Sequence, residues 1–280
     1  NGDALMTDFA ITNARVFDGT DFHNGKAVIV RNGKVDAIVE SCDITENINV
    51  IDAKNQTLAP GLIDVQVNGG GGVLLNDEPN IDGIRAIMAG HRKYGTTAML
   101  PTLITDHRDK MEAAITAVTD AISQDVPGIV GIHLEGPYLN AERKGVHDAN
   151  IIRPMEDDAI DLLTRLPNGR ILVTMAPEKA AKGTIKKLAD RGVLVCAGHT
   201  AGTYNHVQAA IAEGMRGFTH LFNAMSPMTH REPGVAGAAM ADDSTWCGLI
   251  ADGYHVHPAV LKVAIHAKAS HSVRIRNAEH

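Results

Sequence analysis

Two patterns of apolar and polar positions divide the chain near Pro60. Residues 9–58 carry short strand-like runs, FAITNARVFDG, KAVIVRNGKVDAIVE and NINVIDAKNQTLAP, and the second contains an Asn32-Gly33 hairpin signal. From residue 59 onward, apolar runs of strand length alternate with Ala-rich stretches of helical period. We therefore predict a small β domain over residues 1–58, followed by a larger α/β domain over residues 59–280.

The larger domain has the rhythm of a parallel sheet with crossover helices. Seven runs are strand candidates: LIDVQV, TTAMLPT, IVGIHLE, RILVTMAPE, VLVCAGH, GFTHLF and CGLIADGYHV. Helix-like segments lie between them, among them IDGIRAIMAGHRKYG, RDKMEAAITAVTDAIS, EDDAIDLLTRL, AAKGTIKKLADRG and YNHVQAAIAEG. Strands that are apolar on both faces are typical of a parallel sheet covered by helices, in either an open sheet or a closed barrel.

The placement of polar residues favours the barrel. Nearly every strand candidate carries a functional group towards its carboxyl end: Gln66 and Asn68, His133 and Glu135, Glu178, His199, His220 and Asn223, and Asp252 and His255. Several strand ends that supply one site are the hallmark of a (β/α)8 barrel. We therefore predict a TIM-type barrel. The glycines at 69–72 are expected to form a flexible loop, because no phosphate-loop lysine follows them.

Composition narrows the range of partners and compartments. The net charge is −7, and no basic run is present that could neutralise phosphates, so neither a nucleic acid nor an anionic membrane is expected as a partner. Three cysteines, an odd number without C-x-x-C spacing, predict buried thiols in a reducing compartment. Without a signal sequence or a long apolar span, the chain is expected to be a soluble cytoplasmic protein.

Glu135 has three possible roles on residue type alone. It could be a metal ligand, an acid/base catalyst, or a carboxylate that caps a strand. Together with His199 and His220 it offers ordinary ligands for a catalytic divalent metal. A carboxylate buried beside Leu134 would also need a partner for its charge. Spacing alone does not decide among these roles, because the chain contains 14 histidines.

Seven segments in order give a family resemblance: PGLIDVQVNGGGG, HLEGPYLN, RKGVH, AGHT, THLFNAM, REPG and IADGYHVHP. Over residues 8–268 the chain resembles the N-acetylglucosamine-6-phosphate deacetylases, a branch of the amidohydrolase superfamily. The resemblance implies a metal-dependent barrel with a small β-sandwich formed largely by the N-terminal strands. It also implies hydrolysis of N-acetyl-D-glucosamine 6-phosphate to D-glucosamine 6-phosphate and acetate.

The family's metal ligands match Glu135, His199 and His220. Gln66 and Asn68 occupy the positions where many amidohydrolases carry H-x-H, so the resemblance implies one divalent ion, most often zinc and sometimes iron. His255 matches the residue that contacts the substrate carbonyl and steadies the oxyanion. The expected substrate-binding set is Gln66, Val146, His147, Asn223, Ala224, Arg231, Asp252 and His255. Arg231 matches a phosphate-binding arginine that reaches the neighbouring site of a homodimer, whereas His133 is expected to be structural.

The C-terminal segment departs from the family pattern. The family's acid/base aspartate, in a segment like L-V-T-D-A, is not found, and the tail reads SHSVRIRNAEH. Asn277 lies near the expected position, but its neighbours do not match and no role is assigned to it. We expect a barrel whose last strand and helix are missing or altered through truncation. Two alternatives stay open: a non-catalytic remnant that binds metal or sugar phosphate, and an amidohydrolase acting on another N-acetyl sugar or a cyclic amide.

Overall fold

A computed structural model describes residues 8–44, 47–268 and, for the backbone alone, 273–276. Two compact units divide the chain between Leu62 and Ile63. Asn277 lies outside the described residues. No helix in the described ranges is both long and apolar enough to cross a membrane.

The first unit consists of short strands in two small sheets. The strands are β1 (Phe9–Thr12), β2 (Arg15–Phe17), β3 (Phe22–His23), β4 (Lys26–Arg31), β5 (Lys34–Glu40), β6 (Asn49–Asp52) and β7 (Thr57–Leu58). One sheet has the order β5-β4-β1-β6 and the other β3-β2-β7. The predicted hairpin joins β4 to β5, with positive φ angles of 49° at Asn32 and 72° at Gly33. This is the conformation that a tight two-residue hairpin turn requires.

The second unit contains a curled parallel sheet. Its described strands, in spatial order, are β8 (Leu62–Val67), β11 (Thr96–Ile104), β12 (Gly131–Glu135), β13 (Arg170–Met175), β14 (Leu194–Ala197), β15 (Gly217–Phe218), β16 (Trp246–Ile250) and β17 (Val273–Arg276). The register from β11 to β17 is parallel throughout. The predicted α/β fold, with a barrel-type sheet and a small N-terminal β unit, is confirmed. The seven strand candidates omit β17, which lies in the tail that the sequence predicts to be altered.

Helices connect the successive strands. They are α1 (Ile81–Arg92), α2 (Arg108–Ser123), α3 (Ala159–Leu162), α4 (Thr184–Asp190), α5 (Tyr204–Ala212), α6 (Gly234–Ala241) and α7 (Pro258–Ala267). In α2, Met111, Ala114, Ile115 and Val118 are all buried. Their spacing places them on one face of the helix, and it made α2 predictable with these same bounds. Strands β12, β13 and β14 are almost entirely buried, as expected of a parallel sheet that helices cover.

The glycine run after β8 forms a hairpin instead of the predicted flexible loop. Strand β9 (Gly69–Gly70) pairs with β10 (Val73–Leu74), and the His91 ring on α1 hydrogen-bonds the carbonyl oxygen of Gly69 at 2.8 Å. A Cβ on Gly70 would lie 2.7 Å from His91 Nε2, and one on Gly69 would lie 2.4 Å from the carbonyl oxygen of Val73. Gly70 is therefore needed for close packing on α1, and Gly69 for close packing on β10.

The cysteines agree only in part with the prediction. Cys196 and Cys247 are buried free thiols, as expected, and burial raises the pKa of Cys247 to about 11. Cys42 is also free but exposed, so the prediction that it is buried is wrong. It lies in a short 3-10 turn that contains no buried residue, and the apolar run before it, β5, alternates between exposed and half-buried positions.

Candidate metal centre

Glu135, His199 and His220 meet at the carboxyl edge of the parallel sheet. Glu135 is the last residue of β12, and the two histidines stand two residues beyond β14 and β15. Glu135 Oε1 lies 3.2 Å from His199 Nε2 and 3.0 Å from His220 Nε2, and the two ring nitrogens are 2.9 Å apart. All three side chains are buried. Parallel strands that end at one edge thus bring together residues distant in the sequence.

Backbone carbonyls orient both imidazole rings. His199 Nδ1 lies 2.8 Å from the carbonyl oxygen of Arg143, and His220 Nδ1 lies 3.1 Å from that of Asn223. A carbonyl oxygen can only accept a hydrogen bond, so each Nδ1 carries the hydrogen. In the neutral ring, Nε2 then presents its lone pair to the centre, which is the tautomer that a metal ligand needs.

The charge of Glu135 completes this ligand set. Burial alone would raise the pKa of Glu135, but hydrogen bonds and positive charge from His199 and His220 in their protonated form outweigh it and hold the pKa well below its ordinary value. The Gln66 amide also donates to both carboxylate oxygens, at 3.1 Å each. One carboxylate and two imidazole lone pairs in a buried space suit a divalent cation. Two residues beyond Gln66, the buried Oδ1 of Asn68 has no hydrogen-bond partner in the described part of the chain, and such an orphaned acceptor fits a site that a ligand completes.

Both histidine ligands have a strained backbone. The φ angle is 48° at His199 and 39° at His220, in the left-handed region that residues other than glycine rarely adopt. Each such residue costs about 1–3 kcal/mol, and strain of this kind concentrates at functional sites. It also explains why β15 ends at Phe218, earlier than the predicted strand GFTHLF.

His147 joins the centre from the loop after β12. Its Nε2 lies 3.2 Å from His199 Nε2, and its ring meets the His199 ring edge-on with centroids 4.2 Å apart. On the other side of the ring, Nδ1 contacts both the backbone N–H and the hydroxyl of Thr105. Burial lowers the pKa of His147 to about 4, which keeps the ring neutral at neutral pH.

His255 and Asp252 form a unit in the exposed loop after β16. The Asp252 carboxylate accepts hydrogen bonds from the backbone N–H groups of Tyr254 and His255, both at 2.9 Å, and contacts His255 Nδ1 at 2.6 Å. The backbone hydrogen bond from His255 is the main cause that lowers the pKa of Asp252 to about 2. The carboxylate fixes the His255 ring and leaves Nε2 available to another partner.

The other predicted substrate contacts lie on loops at the same edge of the sheet. Asn223 orients His220 through its carbonyl, and the carbonyl of Ala224 accepts the Thr200 N–H at 3.1 Å. The side chains of Val146 and Arg231 are exposed. The structure therefore gathers Gln66 and His147 around the three ligands, whereas Val146 and Arg231 point to solvent.

Comparison with known proteins identifies the family. The model of the amidohydrolase family matches residues 57–280, and that of the NagA composite domain matches residues 8–58. The chain belongs to the amidohydrolase family. The resemblance seen in the sequence motifs is thereby confirmed, and a divalent metal at Glu135, His199 and His220 agrees with both the family and the geometry.

Three related sequences or structures are named as deacetylases of either N-acetylgalactosamine 6-phosphate or N-acetylglucosamine 6-phosphate. An N-acetylgalactosamine-6-phosphate deacetylase from Shewanella sp. is 46% identical over 76% of this chain and 54% of its own length. An N-acetylglucosamine-6-phosphate deacetylase from Haemophilus influenzae is 32% identical over 89% of this chain and 65% of its own. The crystal structure of N-acetylglucosamine-6-phosphate deacetylase from Pasteurella multocida superposes with a TM-score of 0.92 at 33% identity, covering 96% of this chain and 70% of that one. The chain thus spans between half and two thirds of the length of these two curated relatives.

Two residues important to this amidohydrolase site were not predicted from the sequence in their observed roles. Thr105, directly after β11, holds His147, but it lies three residues beyond the strand candidate TTAMLPT and was not singled out. Glu178 was noted as a strand-end group, and it ties loops together by accepting from the Asn140 amide at 2.9 Å and the Ala201 N–H at 2.8 Å. A polar residue next to a strand end can be recognised from the sequence, but the residue that it contacts cannot.

Proposed function

We propose that this chain hydrolyses the N-acetyl group of N-acetyl-D-glucosamine 6-phosphate, giving D-glucosamine 6-phosphate and acetate. One observation carries the proposal: an ionised carboxylate and two imidazole lone pairs converge within 3.2 Å at the carboxyl edge of the sheet. Such a centre suits metal-assisted hydrolysis, and relatives of this chain are named as deacetylases of N-acetyl sugar phosphates.

We assign one divalent ion, preferably zinc, to Glu135, His199 and His220. When bound there, a divalent ion supplies Lewis-acid activation of the amide carbonyl and of water. Three protein ligands suit a catalytic zinc site, which keeps a position open. The neutral amide of Gln66 is a poor zinc ligand and is engaged with Glu135, which supports a single-metal site. Other divalent ions, iron among them, accept the same ligand set.

His255 is assigned to the carbonyl oxygen of the substrate. Because its Nδ1 is bonded to the Asp252 carboxylate, its Nε2 can donate a hydrogen bond only when the ring is protonated. A charged donor stabilises a developing oxyanion more strongly than a neutral one. No residue is assigned to proton transfer, and binding without turnover is therefore the competing hypothesis.

The remaining substrate contacts are proposals of the same kind. Gln66, His147, Asn223, Ala224 and the backbone of Val146 are assigned to the sugar, together with Asp252 through its hold on His255. Arg231 is assigned to the phosphate of the neighbouring site in a homodimer, since a guanidinium group binds phosphate in a bidentate manner and its side chain is exposed.

Two predictions about the chain as a whole also remain proposals. Residues 1–58 and 59–280 would form separate domains, in support of which the described contacts separate between Leu62 and Ile63. A reducing cytoplasmic compartment is supported by three thiols that are all free in the described structure.

A second candidate substrate is N-acetyl-D-galactosamine 6-phosphate. The 46%-identical relative from Shewanella carries that specificity in its name. The two sugars differ only in the configuration at C4, and the metal and carbonyl chemistry would be the same for both. The choice between them depends on sugar contacts, so both substrates belong in the same assay.

The direct test is acetate release from each sugar phosphate by the Zn²⁺-loaded chain. Glu135→Gln keeps the shape of the side chain but removes its charge, and should abolish turnover. Glu142→Gln, an exposed position in the following loop, is the matched control. No acetate above the Glu135→Gln background would refute hydrolysis by this chain, and calorimetric binding without turnover would favour the competing hypothesis.

The assignment of Arg231 has a separate test. Arg231→Ala should weaken binding of the phosphorylated sugar and leave binding of unphosphorylated N-acetylglucosamine unchanged. The matched control is Arg216→Ala, because Arg216 is also exposed but directly precedes the first residue of β15, at the other edge of the sheet. Equal effects on both sugars would contradict a phosphate contact.

A further inference from the structure

Thr105 makes two contacts with one nitrogen of His147. Its backbone N–H lies 3.2 Å from His147 Nδ1, and its hydroxyl oxygen lies 2.7 Å from the same atom. Thr105 follows directly after β11, and both residues are buried. The pair is thus built into the carboxyl edge of the sheet beside the metal ligands.

The backbone contact decides which nitrogen of His147 carries the hydrogen. An N–H group can only donate, so Nδ1 must offer a lone pair, and the ring hydrogen must sit on Nε2. The Thr105 hydroxyl could donate to Nδ1 at 2.7 Å or to the carbonyl oxygen of Glu135 at 3.4 Å. The shorter contact favours Nδ1, whose single lone pair then faces both the hydroxyl and the backbone N–H. His147 is therefore the reverse of His199 and His220, whose hydrogens lie on Nδ1.

We propose that Thr105 is a positioning residue that fixes His147 as a hydrogen-bond donor through Nε2 at the edge of the metal centre. His147 then cannot accept a proton from water at Nε2, which removes it from consideration as the general base. It can instead donate to an oxygen atom of a ligand. A histidine without the contact to Thr105 could instead carry a lone pair on Nε2 and accept a hydrogen bond there.

The backbone around Thr105 leaves space for the hydroxyl. Gly136, with a φ angle of 88°, would place a Cβ atom 2.2 Å from Thr105 Oγ1. Any side chain at position 136 would displace the hydroxyl or the ring that it holds. Gly136, directly after the metal-ligand strand β12, thus leaves the space that the Thr105 hydroxyl occupies.

The Nε2–H of His147 faces the metal centre, where His199 Nε2 lies 3.2 Å from His147 Nε2. If His199 Nε2 coordinated a metal, the His147 hydrogen would be left for an oxygen of the sugar. This contact with the sugar rests on the proposed function, whereas the orientation of His147 by Thr105 does not.

The test compares Thr105→Val, which removes the hydroxyl at nearly constant volume, with Thr105→Ser, which keeps it. Thr96→Val, at the first residue of the strand that Thr105 follows and equally buried at 6% exposure, is the matched control. Long-range ¹H–¹⁵N correlation spectra of the Zn²⁺-loaded full chain report each imidazole nitrogen, and the His147 signals are identified by their loss in His147→Gln. Calorimetry with glucosamine 6-phosphate, which cannot be deacetylated further, reports ligand affinity.

We expect an unprotonated Nδ1 and a protonated Nε2 for His147 in the unmodified chain. Thr105→Val should shift the Nδ1 resonance and weaken sugar phosphate binding about three- to tenfold, the worth of one hydrogen bond. Thr105→Ser and Thr96→Val should change neither. A protonated Nδ1 in the unmodified chain, or an unchanged His147 spectrum in Thr105→Val, would overturn the assignment. The expected spectra without any sugar phosphate binding would support Thr105 as the positioning residue while removing the proposed function.

Discussion

Replacing Gln66 by leucine should weaken Zn²⁺ binding without removing a metal ligand. The Gln66 amide nitrogen is shared between the two oxygens of Glu135, each at 3.1 Å. A hydrogen bond to a charged group contributes about 1.5–3 kcal/mol, and a shared bond of this length belongs at the lower end. About 1.5–2 kcal/mol corresponds to a roughly 10- to 30-fold loss of affinity, within the range known for residues that orient metal ligands. Competition with a chromophoric chelator measures it.

The control for this prediction is Gln124→Leu, an exposed position that follows α2. Because Gln66 is also assigned to the sugar, the affinity for glucosamine 6-phosphate should be measured at saturating Zn²⁺. If Gln66→Leu leaves Zn²⁺ affinity within twofold of the unmodified chain and weakens only sugar binding, then its contact with Glu135 contributes nothing to the metal centre, and our reasoning is wrong.

Three further predictions concern stability and protons. Gly136→Ala should lower the free energy of unfolding by at least about 2 kcal/mol in urea titrations, because φ is 88° and the new Cβ would meet Thr105 Oγ1; an unchanged midpoint would contradict this. The Asp252 carboxyl should titrate near pH 2 in NMR spectra, compared with its ordinary value of 3.8. Its contribution to loop stability is then complete above about pH 4 and is lost as the pH falls through 2, and a titration near 3.8 would exclude the hydrogen bonds described. Zn²⁺ binding should release protons, because the metal and protons compete for the same lone pairs of Glu135, His199 and His220. Equal calorimetric heats in buffers of different ionisation enthalpy would argue against it.

Much of the metal centre could be predicted from the sequence because strand ends are local signals. The apolar run before Glu135 and those before His199 and His220 mark strands, and the edge at which parallel strands end is shared. The contacts that orient these ligands could not be predicted in this way. Gln66 was recognised as a strand-end amide, yet its bond to Glu135 spans 69 positions.

The errors have equally physical causes. The composition of a glycine run suggests flexibility, but Gly70 packs closely against α1 and Gly69 against β10, and these contacts depend on partners elsewhere in the chain. The position of Cys42 beside an apolar run suggested burial, but the strand before it is only half-buried. The strand Val273–Arg276 lies in a tail of charged and apolar alternation, where its neighbour β16 supplies the pairing.

Because the backbone carbonyl of Asn223 orients His220, the side chain at position 223 can change without altering the metal centre. A backbone carbonyl is present whatever side chain stands at that position, so mutation at 223 can alter the surface offered to a sugar while the ligand tautomer persists. The same holds for Arg143 and His199. During evolution, single substitutions at these two positions can therefore change substrate contacts while metal binding is retained.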